Sequence, residues 1–113
     1  MGWDVIFDSK TITANSSEDS KRVHLWDGRN VHAMQYTVTG SGTLDLSVQT
    51  SIDGLNWIDN GVKADNINSS SGPDGDGKDI VPLSLKPGDF FRVKALEVLG
   101  ISDAVLSIWF VQK

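Results

Sequence analysis

The sequence predicts an all-β fold, an antiparallel β-sandwich of jelly-roll-like or immunoglobulin-like arrangement with about eight strands. Three observations carry this. Apolar residues recur with period two in several places, and turn residues fall between those runs at short intervals. No stretch combines a 3.6-residue apolar period with a helix cap and a stop. At 113 residues the chain fits a single sandwich domain over residues 1–113, large enough to bury one core without covalent staples.

Taken in order, residues 3–8 place Trp3, Val5 and Phe7 on one side of an extended chain and Ile6 on the other. Residues 11–14 and 23–26 read as short strands, the second stopped by Asp27-Gly28. Residues 30–53 hold the clearest pattern. His32, Met34, Tyr36 and Val38 alternate with Val31, Ala33, Gln35 and Thr37, and Leu44, Leu46, Val48 and Ile52 are interleaved with Asp45, Ser47, Gln49 and Ser51. With Gly40-Ser41-Gly42 between them, these runs form a β-hairpin, each strand having one dry and one wet face.

Residues 55–60 follow the Asp53-Gly54 turn and end at Asn60-Gly61. Residues 60–79 then read as one loop of about twenty residues with few apolar anchors, a length that in compact domains marks a functional or mobile segment. Strands over residues 80–85, 90–98 and 105–111 complete the chain, separated by Pro87-Gly88 and Gly100. The last is apolar on both sides, with Val105, Trp109 and Val111 on one and Leu106, Ile108 and Phe110 on the other. Such a strand either lies centrally between packed layers or presents one face to a partner. The surplus apolar surface at both ends makes Trp3, Phe7, Leu106, Ile108 and Phe110 candidate interface residues.

Composition narrows the function classes. There is no cysteine, hence no disulfide framework, zinc-thiolate site or thiol nucleophile. A net charge of -5 with scattered Lys and Arg disfavours a nucleic-acid surface. No apolar run reaches the length of a membrane helix. Met1-Gly2-Trp3-Asp4 lacks the basic and apolar regions of a secretory leader, so the expectation is a protein that stays in the cell that makes it or leaves by assembly, lysis or a signal removed before this numbering.

Candidate chemistry is sparse. Asp74, Asp76 and Asp79 lie in a glycine-rich run whose spaced carboxylates suit a hard cation. The EF-hand register fails, because Lys78, Asp79 and Leu85 occupy the fifth, sixth and twelfth places counted from Asp74. A solvated acidic turn is the reading, with an irregular calcium site on those three aspartates as its alternative. His24 and His32 are the only histidines, and no Gly-x-Ser-x-Gly elbow, metal-binding pair or phosphate loop accompanies them. No catalytic residue, cofactor or enzymatic activity is expected. Of Trp3, Trp26, Trp57 and Trp109, at least three are expected in the core. Trp26, beside Asp27-Gly28, is the candidate for an exposed indole able to stack on a sugar ring.

Gln35-Tyr36-Thr37-Val38-Thr39-Gly40-Ser41-Gly42-Thr43-Leu44, followed by Val48-Gln49-Thr50-Ser51-Ile52-Asp53-Gly54-Leu55-Asn56-Trp57, resembles small β-sandwich structural proteins of tailed bacteriophages. In those proteins a Ser-x-Asp-Gly-x-x-Trp stretch follows a glycine-turn hairpin, with the tryptophan as a core plug. The resemblance implies a virion component made in the host cytoplasm, a capsid decoration (cement) protein or a tail accessory. The partners it implies are the major capsid or other virion proteins, with a homo-oligomer, trimer or dimer, at a symmetry axis. The alternative function is a carbohydrate-binding or adhesion module, with calcium as an optional ligand and glycans as partners.

Overall fold

In a computed structural model, which describes residues 3–113, nine strands form two packed antiparallel sheets. Met1 and Gly2, where the leader reading begins, lie outside the described residues. The strands are β1 (Trp3–Ile12), β2 (Ser17–Asp19), β3 (Val23–His24), β4 (His32–Gly40), β5 (Leu44–Ser51), β6 (Ile58–Ile67), β7 (Lys78–Leu83), β8 (Phe90–Glu97) and β9 (Ala104–Gln112). One sheet has the order β1-β9-β4-β7; the other has the order β2-β8-β5-β6, with β3 also paired to β8.

The pairings are nested. β5 pairs β6, β4 pairs β7, β2 and β3 pair β8, and β1 pairs β9. The chain thus forms one long antiparallel hairpin whose successive rungs alternate between the two sheets. Lateral pairings of β4 with β9 and β5 with β8 close each layer. Counting β2 and β3 as one broken strand, this is the jelly-roll arrangement of the two that the sequence allowed.

The core lies between the layers and takes every second residue of each central strand. Met34, Tyr36 and Val38 of β4 and Leu106, Ile108 and Phe110 of β9 meet Leu44, Leu46 and Val48 of β5 and Phe91, Val93 and Ala95 of β8. Phe91 and Phe110 stack across the interface with ring centroids 4.1 Å apart. The hairpin expected over residues 30–53 forms as an antiparallel crossover instead. β4 and β5 sit in different sheets, and the Gly40-Ser41-Gly42 turn carries the chain from one layer to the other.

Three other segments depart from the sequence reading. Residues 3–8 and 11–14 fuse into β1, which bulges where Val5 pairs Trp109 and Phe7 pairs Ile108. The extra residue turns both Ile6 and Phe7 inward and leaves Trp3 and Val5 outside. The loop expected over residues 60–79 is half strand, since β6 runs on to Ile67 and pairs Ala64 and Ile67 with β5. Gly61 lies within this strand, at a φ of 95°, where the register with β5 slips. The remaining residues, 68–77, fold back on themselves. Ser71 N–H donates to the Asn68 carbonyl and Gly77 N–H to the Ser71 carbonyl, while Val38 N–H donates to the Gly77 carbonyl. Gly77 is buried at a φ of 82°, and a Cβ there would run into the Val38 carbonyl.

Candidate functional site

The outer surfaces of the two sheets differ in chemistry. On the β1-β9-β4-β7 sheet, two adjacent rows cross all four strands: Trp3, Val111, Ala33 and Pro82, then Val5, Trp109, Gln35 and Ile80. Seven of these eight side chains are apolar. Trp3 is 50% and Ile80 62% exposed, and the surface forms a shallow hollow of about 470 Å³. Four strands spaced about 4.8 Å apart, two outward residues deep, make a patch on the order of 300 Å². That matches the largest patches on ordinary monomers, which are often functional.

The outer face of the opposite sheet is mixed, with Arg92, Lys94 and Asp45 beside the exposed Leu96 and Val62. Arg92 of β8 bonds Gln49 through its Nε at 2.7 Å and lies 3.5 Å from Asp19. Its guanidinium sits 4.4 Å from the centre of the Trp57 ring. Trp57 is therefore half-buried beneath an arginine outside the sheet, which corrects its expected place in the core. The Asp53-Gly54 turn before it forms as expected, with Gly54 at a φ of 75°. Both carboxylate oxygens of Asp53 accept hydrogen bonds, from Leu55 N–H, Asn56 N–H, the Asn56 amide and the Ser51 hydroxyl. The Asn56 N–H foremost, these donors hold the Asp53 carboxyl well below the usual carboxylate range.

The candidate interface residues divide. Trp3 and Trp26 are exposed, at 50% and 61%. Phe7, Leu106, Ile108 and Phe110 are in the core, which corrects their place among the interface candidates and selects the central one of the two readings of the last strand. β9 is central in its sheet, so one of its two apolar faces had to line the core, and the bulge in β1 carries Phe7 inward beside it. The outward face of β9 is Val105, Ser107, Trp109 and Val111. None of the four tryptophans is buried, against the expected three, because single-residue alternation places Trp3 and Trp109 opposite the core residues.

Asp74 and Asp76 are exposed, and Asp79 lies on β7 with its carboxylate accepting from Ile80 N–H. Among the described residues no three His, Asp or Glu side chains are gathered in a way that could hold a metal ion. His24 packs edge-on against Trp26 at 4.7 Å, and His32 stacks over Phe110.

Sequence reasoning passed over Glu97. Its side chain is fully buried, and its carboxylate gathers backbone N–H groups from three loops. Oε1 accepts from Asn15 at 3.0 Å and Gly100 at 2.6 Å; Oε2 accepts from Thr43 at 2.9 Å and Leu99 at 3.1 Å. Thr43 foremost, these donors outweigh the cost of burial and hold the pKa down to about 2. Strand parity was the available signal, since Phe91, Val93, Ala95 and Glu97 share the inward face of β8.

A scan against models of known protein families finds no match for the chain, and a search of curated proteins finds none either.

Proposed function

We propose that this chain is a virion structural protein of the decoration or cement type, attaching to an assembled protein shell through the outer β1-β9-β4-β7 face. The observation that carries this reading is the apolar patch around Trp3, Trp109 and Ile80, which crosses all four strands of one sheet. Two features support it. Residues 35–44 and 48–57 resemble a stretch of phage structural proteins, and the jelly-roll arrangement recurs in viral capsid domains, a likeness at the level of fold alone.

The patch size selects the kind of partner. A stable one-to-one interface buries about 800 Å² per partner, well above the order of 300 Å² available here. A contact this small holds when it is made many times on a lattice and reinforced by neighbouring copies, gathered as dimers or trimers at symmetry axes. Binding the assembled shell in preference to its free subunits shifts the disassembly equilibrium by mass action, with no catalysis.

Co-sedimentation with expanded capsids, from the phage or prophage whose genome carries the gene, tests this. The protein is expected to pellet with capsids, Ile80→Asp to stay in the supernatant, and Lys94→Glu on the opposite sheet to pellet normally. Binding to purified tails and not to capsids would overturn the decoration assignment, as would an Ile80→Asp variant that pellets like the parent.

A further inference from the structure

A second surface, away from the sheet face, surrounds Trp26. The loop between β3 and β4 and the loop between β7 and β8 enclose a groove of about 220 Å³, lined by Trp26, Asp27, Arg29, His32, Lys86 and Asp89 among others. Trp26 is 61% exposed, yet its backbone is held firmly. Trp26 N–H donates to the side-chain oxygen of Gln112 at 3.0 Å, and the Gln112 amide donates to the His24 carbonyl at 3.0 Å. Gln112 is itself buried. Arg29 reaches the Gln112 carbonyl, and Asn30 and Val31 N–H groups donate to that of Lys113. The two walls are also joined, because Leu25 N–H donates to the Asp89 carbonyl at 2.7 Å.

The indole is thus an apolar plate on a rigid mount, left open to water where the packing does not require it. Such a mount lowers the ordering cost of whatever binds. The rim decides what that is. Asp27 and Asp89 offer acceptors, and Arg29 and Lys86 offer donors, all on exposed residues. Burial lowers the His32 pKa, which favours the neutral imidazole with its one donor and one acceptor nitrogen. An anion would meet two carboxylates, a cation would meet Arg29 and Lys86, and an apolar chain would strip water from all four. A neutral polyol satisfies donors and acceptors together, while the axial hydrogens of a pyranose lie on the indole. The groove is smaller than the roughly 300–1,000 Å³ of pockets for drug-sized ligands, which suits one ring.

From this we infer that the Trp26 groove is a carbohydrate-binding site that takes a single neutral sugar ring, free or as the terminal residue of a glycan. The site is separate from the sheet face, and its test does not depend on capsid attachment.

Glucose, galactose, mannose and N-acetylglucosamine, with their β-linked disaccharides, are titrated into the ¹⁵N-labelled protein. At least one is expected to shift the Trp26 indole and the Asn30 and Asp89 amides saturably. Trp26→Ala is expected to weaken that binding roughly tenfold, and Asp89→Asn severalfold, with melting temperatures near the parent's. Trp3→Ala is expected to bind the sugar as the parent does. Absence of a saturable shift with every sugar would overturn the inference. So would shifts at these residues by inorganic phosphate, which would mark an anion site, or a Trp26→Ala variant of unchanged affinity.

Discussion

Glu97 shows how one side chain can add to strand pairing, fixing the loops that flank β2, β5 and β8. Its carboxylate binds N–H groups before β2, after β4 and after β8, so three loops at one end of the sandwich share a single acceptor. An amide in its place keeps one oxygen but turns an NH₂ group toward two donors. Glu97→Gln is therefore expected to destabilise the fold by about 2–4 kcal/mol, as buried charged hydrogen bonds are lost. The sign of the pH dependence follows from the lowered pKa. The folded state binds its proton near pH 2, below the ordinary 4.5, so the stabilisation is complete above 4.5 and is lost as pH falls toward 2. Urea melts of both proteins between pH 7 and pH 2 check this, with the difference between them expected to shrink on acidification. A constant difference would show that the carboxylate charge is not what holds the loops. At this scale the sequence was partly legible. The parity of β8 puts Glu97 in the core register, but nothing in the chain before folding tells that the loops bearing Asn15, Thr43 and Gly100 converge on it.

At the scale of elements, legibility followed burial. β4, β5 and β8 could be read because each has one face in the core and one in water, so period two is written into the residue types. β2 could not, because Ser-Glu-Asp is a polar edge segment held by pairing to β8 alone. β6 was hidden for a related reason. As an edge strand it contributes Ala64 and Ile67 to the core, and its bulge at Gly61 breaks the alternation. β9 was legible as a strand and ambiguous in orientation, since both faces are apolar and only the choice of neighbouring strands decides which one is inward. The same limit governs the Trp26 groove. Asp27-Gly28 marked Trp26 as exposed, whereas Lys86 and Asp89 reach it from a distant loop whose closeness is a product of the nested pairing. Adjacent residues of β9 offer a direct test of the orientation. Phe110→Ala removes a fully buried ring stacked on Phe91 and is expected to cost about 3–5 kcal/mol. Val111→Ala, on the outward face, is expected to cost about 1 kcal/mol. Comparable shifts in urea midpoint at unchanged slope would contradict the placement.

For the molecule as a whole, the decisive property is that the apolar rows on the β1-β9-β4-β7 sheet stand opposite a mixed face, where Arg92, Lys94 and Asp45 lie beside Leu96 and Val62, on a chain with a net charge of -5. In the proposed attachment, copies seated side by side on a shell would repel one another, and salt would screen that repulsion over about 10 Å at 0.1 M. The proposed contact through Trp3, Trp109 and Ile80 would depend on removing apolar surface from water, which added sodium chloride does not weaken and sulfate strengthens. Both effects act in the same direction. Attachment to capsids is therefore expected to hold or tighten as sodium chloride rises from 0.05 to about 0.5 M, and to tighten further in ammonium sulfate. A contact made through the Arg92, Lys94 and Asp45 face would behave in the opposite way, loosening as its charges are screened. Co-sedimentation across a salt series separates the two, and release of the protein at high salt would assign docking to the opposite sheet.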